Sequence, residues 1–476
     1  MKSNPVSPAR LAAFQILRRV GDGAYASVLL AASERKLKAV DRALCYELVL
    51  GVLRRQLWLD RLIERYAGRK VAELDPAVRV VLRLGLYQLR FLSRVPASAA
   101  VNESVNLIHS ARLRSAGALV NAVLRRATRE PEIDPTSNLD DPLERLSVAT
   151  SHPQWLIERW TRSFGAEETE AFARANNEPA PVAFRVVKNR AEEAEVCERL
   201  RAAGAELVPS QVAGGAWRVT GTAGVSPAVM EPSPTDDRAA TLAGEMPAVP
   251  ISSVNGVLAE LAAAGQIYLQ DEASQLVAGM LDVRPGQRVL DLCAAPGSKT
   301  TQIADLAGDS ALVVAADLHK HRLNTVISSA RLQGLANIHC AVVDGLQRLP
   351  FRERSFERVL VDAPCSGTGT LRRNPEIRWR ISPADIEDLA RRQRDLLFNA
   401  ARAVKPAGRL IYSTCSVETD EDEAVVKTFL ENNENFVPAP WSPEMLLNIS
   451  AGALRTWPHR EGTDGFFICA FTRKGR

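Results

Sequence analysis

The feature that most constrains the fold is the alternation of strand-like and helix-like segments over the last two hundred residues. Short apolar runs predict strands, and segments with helical periodicity separate them. This pattern predicts a doubly wound, mostly parallel sheet of the α/β Rossmann-like class, whose ligands bind at the carboxyl ends of the strands. The predicted strands are Arg288–Cys293, Ala311–Ala316, Ile338–Val343, Phe356–Val361 and Arg409–Ser413, and the predicted helices begin at Ser298 or cover Arg322–Leu332 and Pro383–Val404.

The front of the chain is helical nearly throughout. Apolar residues recur at helical spacing from Ala13 to Val20, and the same spacing returns in three later segments. Those segments are Arg42–Leu53, Val78–Phe91 and Ala116–Arg126. We therefore predict an all-α bundle over residues 1–140.

The front segment is also strongly basic. Between Met1 and Arg129 there are 23 Lys and Arg against 9 Asp and Glu, a net charge of +14, whereas the remainder has 37 against 47, a net charge of −10. One-sided positive charge is typical of a surface that binds a polyanion such as RNA. The alternative is a set of solvated helix faces without a binding role.

The middle of the chain, residues 141–275, predicts a small α/β domain of RRM or ferredoxin-like type. Its predicted elements include a strand at Val182–Val187, a helix at Ala191–Ala203 and a strand at Gln266–Gln270. Between Ser210 and Val257 periodicity is lost and Gly, Ser, Thr and Pro become frequent, so a flexible insertion over residues 210–257 is predicted. Residues 276–476 then form the sheet domain.

Composition excludes several classes of protein. No apolar run reaches the length of about 18 residues that a membrane span needs, so no membrane partner is expected. The N-terminal segment lacks the apolar region of a secretory signal. Seven cysteines without a CxxC pair, and six scattered histidines, predict neither a disulfide framework nor a metal site. A cytoplasmic, reduced protein is expected.

The first strand of the sheet domain runs into a loop of small residues, with Ala294, Ala295 and Gly297, and then into a helix. Small residues let a ligand approach the backbone, and a helix N-terminus offers unpaired N–H groups. A GxGxxG fingerprint is absent and Lys299 follows Ser298 rather than Gly, so neither a dinucleotide loop nor a P-loop is predicted.

Carboxylates close the next two strands. Asp317 stands where an acidic residue accepts the hydroxyls of a ribose, and Asp344 is placed to accept from an adenine amino group. A small-residue loop with two carboxylates suits S-adenosylmethionine, which carries a cation and no phosphate. Either aspartate alone could instead be a helix N-cap.

Two cysteines follow the last two predicted strands, Cys365 in DAPCSGTGT and Cys415 in YSTCS. Because these strands are neighbours in the usual order, both thiols are expected to face one cleft. A thiolate that adds to C6 of a pyrimidine makes C5 nucleophilic, so covalent catalysis of C5 methylation is the predicted chemistry. Asp362 is placed to bond the N3 and amino edge of the pyrimidine. The spacing does not decide which cysteine is the nucleophile.

The segment after Cys365, Leu371–Trp379, contains three arginines and a tryptophan. These side chain types bind phosphate or stack on a base. We therefore interpret Arg372, Arg373, Arg378 and Trp379 as candidate RNA contacts.

Three motifs together resemble those of the RNA cytosine-5 methyltransferases of the Sun family: DLCAAPGSKT, DAPCSGTGTLRRNPEIRW and YSTCSVETDEDE. The stretch Pro458–Phe467 is similar to that family's closing strand motif. The front segment, with DRAL from Asp41 and GALVNAVLR from Gly117, resembles the NusB-like RNA-binding domain. The resemblance covers nearly the whole chain, apart from Ser210–Val257.

The resemblance implies a function and a role for each matching residue. It implies that Cys415 is the nucleophile and that Cys365 assists proton removal or enzyme release. It implies S-adenosylmethionine as cofactor and, from the pairing with a NusB-like domain, 16S ribosomal RNA as substrate, free or in a partly assembled small subunit. The implied cofactor contacts are Cys293, Ala294, Ala295, Pro296, Gly297, Ser298, Lys299, Asp317, Asp344 and Asp362.

Two other functions stay open at this point. The same chemistry could act on transfer RNA, although the basic helical front domain argues against it. The chain could also be a non-enzymatic RNA-binding or antitermination factor with a relic α/β domain. Intact Cys365, Cys415 and Asp362 argue against that alternative.

Overall fold

The structure is a computed structural model that describes residues 6–34, 36–130, 133–220, 253–440, 449–450 and 452–475. The chain divides into two compact units. The first unit contains Met1–Glu178 and Asn374–Arg380, and the second contains Pro179–Arg373 and Ile381–Arg476. The helices between residues 142 and 175 thus lie in the first unit. The three-domain boundaries at 140 and 275 stay a prediction.

The first unit is helical, as the periodicity predicts. Its helices are α1 (Pro8–Gly21), α2 (Ala26–Glu34), α3 (Ala39–Arg54), α4 (Gln56–Ala67), α5 (Pro76–Phe91), α6 (Ala97–Ser110), α7 (Gly117–Arg129), α8 (Pro142–Thr150), α9 (Gln154–Phe164) and α10 (Ala166–Ala175). The apolar stripe of α1 is buried along its length, from Ala13 to Val20. Helix α5 begins at a proline that needs no N–H partner, and the Asp75 side chain accepts from the N–H of Ala77.

The second unit begins with a four-stranded antiparallel sheet in the order β2-β3-β1-β4. The strands are β1 (Val182–Val186), β2 (Glu206–Pro209), β3 (Ala216–Thr220) and β4 (Ile267–Leu269), and the helices are α11 (Glu193–Ala202), α12 (Val254–Ala263) and α13 (Glu272–Met280). The flexible insertion predicted over residues 210–257 is therefore wrong at both ends. Strand β3 pairs with both β1 and β2, and Val254 and Val257 are buried in the core of this sheet. Residues 221–252 of that prediction lie outside the described part of the chain.

A second sheet of nine strands follows. Its strands are β5 (Arg288–Asp291), β6 (Leu312–Asp317), β7 (Ile338–Val342), β8 (Phe356–Asp362), β9 (Val404–Thr414), β10 (Phe436–Pro438), β11 (Ile449–Ser450), β12 (Ala453–Arg455) and β13 (Phe467–Arg473). The order is β11-β12-β13-β9-β8-β5-β6-β7, with β10 also paired to β13. The five strands β5 to β9 are parallel, and the C-terminal strands join antiparallel.

Helices cover both faces of this sheet: α14 (Ser298–Leu306), α15 (Lys320–Leu332), α17 (Pro383–Ala403) and α18 (Glu423–Glu431), while the short α16 (Ile377–Arg380) belongs to the first unit. Successive residues of a strand point to opposite faces. Val359 of β8 accordingly packs in the same core as Leu397 of α17, and the next residue, Leu360, packs with Ile303 of α14. The predicted doubly wound fold is confirmed.

No helix in the described part of the chain is long and apolar enough to cross a membrane. Nor do the described residues include a group of three or more His, Cys, Asp or Glu that could hold a metal ion.

Candidate active site

The small-residue loop connects β5 to α14 at the carboxyl edge of the sheet. Ala294 and Ala295 are buried, Cys293 and Pro296 are half-buried, and Ser298 is the first residue of the helix. Gly297 has a φ of 108°, a conformation that L side chains rarely adopt, and a Cβ there would lie 3.1 Å from the Cα of Val326. The loop therefore requires glycine at this position.

Asp317 ends β6 beside this loop. Its Oδ2 accepts the N–H of Ala295 at 3.3 Å and lies 3.3 Å from the Arg322 guanidinium, while its Oδ1 accepts the N–H of His319 at 3.0 Å. The carboxylate is only 4% exposed. Asp317 thus lies where the sequence places it, and it also holds the backbone of the loop.

Asp344 follows β7, but its local contact differs. Its Oδ1 accepts the N–H of Leu346 at 3.0 Å, two residues further on. This is the local turn-capping bond that Asp residues commonly form. The described residues 343–355, between β7 and β8, contain no helix, so Asp344 caps a turn and the helix N-cap alternative is wrong for it. Its half-exposed carboxylate keeps acceptor capacity for a ligand.

The loop is joined to the end of β8 by an ion pair. Lys299 Nζ lies 2.7 Å from Asp362 Oδ2, and the same ammonium lies 5.2 Å from the ring centroid of Phe466. Asp362 Oδ1 accepts the hydroxyl of Ser413, which stands opposite it on β9. One carboxylate therefore links the small-residue loop to the ends of the two strands that precede the cysteines.

The two cysteines meet at the ends of these parallel neighbours, as predicted. Cys365 Sγ lies 3.2 Å from Cys415 Sγ, and both side chains are half-buried. The hydrogen bond with Cys415, together with burial and the nearby charge of Glu421, raises the pKa of the Cys365 thiol well above its ordinary value. Cys365 is therefore protonated at neutral pH.

The closing motif lies directly against the cysteine loops. Gly369 donates its N–H to the carbonyl of Cys415 at 2.9 Å, and its own carbonyl accepts the N–H of Gly465 at 2.8 Å. A Cβ on Gly369 would lie 1.9 Å from the carbonyl oxygen of Gly465. At Gly369 the two cysteine loops and the closing motif therefore pack too closely to admit a side chain.

Two arginines proposed as RNA contacts are buried instead. Arg373 forms ion pairs with Asp271 at 2.8 Å and with Asp464 at 2.9 Å, and its side chain is 12% exposed. Arg372 donates to the carbonyls of Pro179 and Gly462. The prediction that these side chains bind RNA is wrong, because their donors already bond the protein.

Arg378 and Trp379 are also structural, and they lie in the first unit. Arg378 is fully buried, where it donates to the carbonyl of Ser151 and the side chain of Asn177. Burial lowers its pKa to about 9. The indole of Trp379 donates to the carbonyl of Leu53. The RNA contact predicted for Arg378 is therefore wrong, whereas stacking by the half-buried ring of Trp379 stays a prediction.

Two buried acids at this edge of the second unit were not predicted from the sequence. Asp291 ends β5 and accepts from Thr300, and burial raises its pKa to about 7. The strand-end rule that selected Asp317 would have found it. Glu421 is fully buried within an acidic run, a pattern that normally indicates a solvated surface. No signal in the sequence distinguishes it from its neighbours.

Comparisons with known proteins match all three parts of the chain. The family model for the 16S rRNA methyltransferase RsmB/F matches residues 278–472, the NusB family matches residues 7–129, and the ferredoxin-like domain of RsmF/B-like methyltransferases matches residues 152–226.

Curated relatives match over almost their whole length. A probable ribosomal RNA small subunit methyltransferase B of Synechocystis is 36% identical, covering 97% of this chain and 98% of the relative. A protein of the same name in Bacillus subtilis is 33% identical over 95% of both chains. The chain belongs to the ribosomal RNA small subunit methyltransferase B family. Membership of this methyltransferase B family agrees with the Sun and NusB-like resemblances read from the motifs.

Solved structures extend the match to the fold. The crystal structure of PH0851 covers 99% of this chain, with a TM-score of 0.78 and 27% identity. A methyltransferase homolog from Pyrococcus horikoshii covers 70% of this chain, with a TM-score of 0.55 and 25% identity. This chain therefore shares its fold with PH0851 and, over 70% of its length, with the Pyrococcus horikoshii methyltransferase homolog.

Proposed function

We propose that this chain transfers a methyl group from S-adenosylmethionine to C5 of a cytosine in 16S ribosomal RNA, through a covalent bond between Cys415 and C6. The observation that carries the proposal is the 3.2 Å separation of the Cys365 and Cys415 sulfurs at adjacent strand ends, beside a small-residue loop. Packing alone does not explain two adjacent thiols at the ends of neighbouring strands, whereas methylation at C5 needs a nucleophile and an acid–base partner.

The residues present fit the cofactor. Ala294, Ala295 and Gly297 leave room for close approach of a ligand, and a Cβ at Gly297 would press on Val326. The acids Asp317, Asp344 and Asp362 can accept from hydroxyl and amino groups and favour a cationic ligand. When bound, S-adenosylmethionine supplies an electrophilic methyl group. The residues that would hold it are Cys293 to Lys299, Asp317, Asp344 and Asp362.

In the proposed reaction, Cys415 is the nucleophile. The thiol proton passes to N3 of the cytosine as the sulfur adds to C6, and the C5–C6 π electrons make C5 nucleophilic. C5 then takes the methyl group from the sulfonium, which is left as a neutral thioether, and N3 gives up its proton again. A base then removes the C5 proton, the C5–C6 double bond re-forms and the Cys415 sulfur leaves. Cys365 is the neighbouring acid–base group: its raised pKa makes it a thiol at rest, so it can give its proton to the Cys415 sulfur as that sulfur leaves.

Asp362 would hold the cytosine by accepting from its amino group and, in the covalent adduct, from the protonated N3. Its carboxylate already pairs with Lys299 and accepts from Ser413, so its orientation is fixed before substrate binds. A fixed carboxylate costs little reorganisation when charge develops on the ring.

The ribosomal substrate is supported by the names of the relatives and by the basic first unit. Relatives 33% and 36% identical to this chain are named for the small-subunit ribosomal RNA. The net charge of +14 over Met1–Arg129 would attract the phosphate backbone. The partner is then 16S rRNA that is free or in a partly assembled particle, because a target base must be unstacked and accessible to react.

Mapping 5-methylcytosine in ribosomal and transfer RNA tests this function. Deleting the gene should remove the modification from one 16S rRNA cytosine, and the wild-type gene should restore it while a Cys415→Ala gene should not. Loss from transfer RNA alone would overturn the substrate, and no loss in either RNA would overturn the activity. The purified enzyme should methylate free 16S rRNA faster than mature small subunits.

A further inference from the structure

Beneath the two cysteines lies a buried carboxylate that the proposed reaction has not used. Glu421 is fully buried, and its Oε2 accepts the hydroxyls of Ser366 and Ser416, each at 2.5 Å. Ser366 directly follows Cys365, and Ser416 directly follows Cys415. One carboxylate oxygen therefore connects the two cysteine loops at the residues next to the thiols.

The other oxygen of Glu421 holds the Cys365 loop from both sides. Oε1 accepts the backbone N–H of Ser366 at 2.9 Å and the side-chain amide of Gln393 at 2.9 Å. The same amide nitrogen of Gln393 donates to the carbonyl of Pro364 at 2.9 Å. The residues before and after Cys365 are thus tied to Glu421, directly or through one side chain.

The hydroxyls complete a closed network. Ser366 and Ser416 Oγ lie 3.0 Å apart, Thr368 Oγ1 lies within 3.4 Å of both, and the N–H of Glu418 donates to Ser416 Oγ. Burial raises the pKa of Glu421, while the hydrogen bonds from Ser366, Ser416 and Gln393 lower it. Four donors directed at two oxygens match an acceptor-only carboxylate.

We propose that Glu421 is a positioning residue, which ties Ser366 to Ser416 so that the thiols of Cys365 and Cys415 act on the same base. This inference rests on the proposed function, since two thiols need a fixed separation only if both serve one reaction. A misplacement of about 1 Å in such a pair costs on the order of a hundredfold in rate. The alternative is a polar core without effect on the thiols.

The test compares Glu421→Ala with Glu423→Ala, a nearby substitution at a half-exposed side chain paired with Arg455. Methylation by Glu421→Ala should show kcat lowered by about a hundredfold, with KM for S-adenosylmethionine within about twofold of wild type. Glu423→Ala should keep both values. Equal kcat in the two variants would overturn the proposal.

A second readout does not depend on methyl transfer. Diamide oxidises two adjacent thiols to a disulfide and takes up their two hydrogens, so the rate of forming the Cys365–Cys415 crosslink reports the separation of the sulfurs. Mass spectrometry of digested protein identifies the crosslinked peptides. The rate should fall about tenfold in Glu421→Ala relative to Glu423→Ala, on the scale of one missing charge-assisted hydrogen bond. An unchanged rate contradicts the proposal.

If Glu421→Ala does not fold, Ser366→Ala and Ser416→Ala make the same test, because each removes one hydroxyl of the network. Each single substitution should lower both the rate of crosslinking and kcat. In the double variant both quantities should fall little further than in the more affected single variant, because the two residues are coupled. Additive effects would overturn the proposal. Slower crosslinking in a protein whose wild type methylates no RNA would retain the positioning role and refute the proposed function instead.

Discussion

Two regions in the second half of this chain, the strand-end loops and the segment Leu371–Trp379, both predict a functional site from the sequence. In the structure they differ in what their polar side chains contact. The strand-end loops bring Lys299, Asp362, Cys365 and Cys415 together at one edge of a parallel sheet. The segment Leu371–Trp379 follows one of these loops, yet Arg372 and Arg378 are buried and Arg373 pairs with two carboxylates of the protein. Position at a strand end therefore indicates which polar side chains converge better than residue type does.

Burying the arginines of the segment Leu371–Trp379 costs free energy, and the contacts that offset this cost show their structural role. Burying a guanidinium is unfavourable unless acceptors surround it. Arg373 finds two carboxylates, and Arg378 finds backbone carbonyls and an amide oxygen. Arginine with its five donors can satisfy several acceptors at once, so these residues fix irregular backbone that forms neither helix nor sheet.

The largest effect is expected at the strand-end cysteines. Cys415→Ala should abolish methylation and also the covalent trapping of RNA that carries 5-fluorocytosine, because no other group would add to C6. Cys365→Ala should still form the adduct but release it slowly. Denaturing gels of labelled RNA measure both. The reverse pattern would exchange the two roles.

A substitution in the arginine segment should change stability instead of chemistry. Arg378→Met should destabilise the protein by about 3 kcal/mol, since it leaves the carbonyl of Ser151 and the amide of Asn177 without their donor. Arg380→Ala is the matched control, at an exposed side chain that lies over the ring of Tyr25, and should cost below about 1 kcal/mol. Urea unfolding measures both. Equal losses would show that burial of the arginine is not the cause.

The two strand-end aspartates should differ in their contribution to cofactor binding. Asp317→Ala should weaken S-adenosylmethionine binding by about 1.5–3 kcal/mol because the hydrogen bonds of its carboxylate are removed. It also frees the N–H of Ala295 in the loop, so its effect should exceed that of Asp344→Ala, whose carboxylate holds only a local turn. Calorimetry distinguishes the two, and unchanged affinity in both would place the cofactor elsewhere.

The smallest effect is expected from exposed arginines of the first unit. Replacing Arg112, Arg114 and Arg129 by alanine should flatten the salt dependence of RNA binding, by about 0.7 in the log–log slope for each single-strand phosphate that the protein no longer neutralises. Arg284→Ala, at an exposed side chain of the second unit, is the control. Filter binding across a salt series gives the slopes. Identical slopes would show that the basic residues of the first unit form a solvated surface and do not bind RNA.

The order of strands and helices, the doubly wound sheet and the meeting of the two cysteines were predictable from the sequence. Periodicity reports which face of an element is buried, and parallel strands end at one edge, so strand-end residues such as Cys365 and Cys415 converge. The motifs, which are local, also led to the family that the comparisons show.

Which polar side chains are buried, and which groups they bond, could not be predicted from the sequence. Glu421 stands in an acidic run and Arg378 in a basic one, and both are fully buried because acceptors or donors distant in sequence surround them. Ser366 is 55 residues from Glu421, and Ser151 is 227 residues from Arg378. The sequence around a charged residue does not identify such partners. The free energy of burying the charge depends on groups that only folding brings within hydrogen-bonding distance.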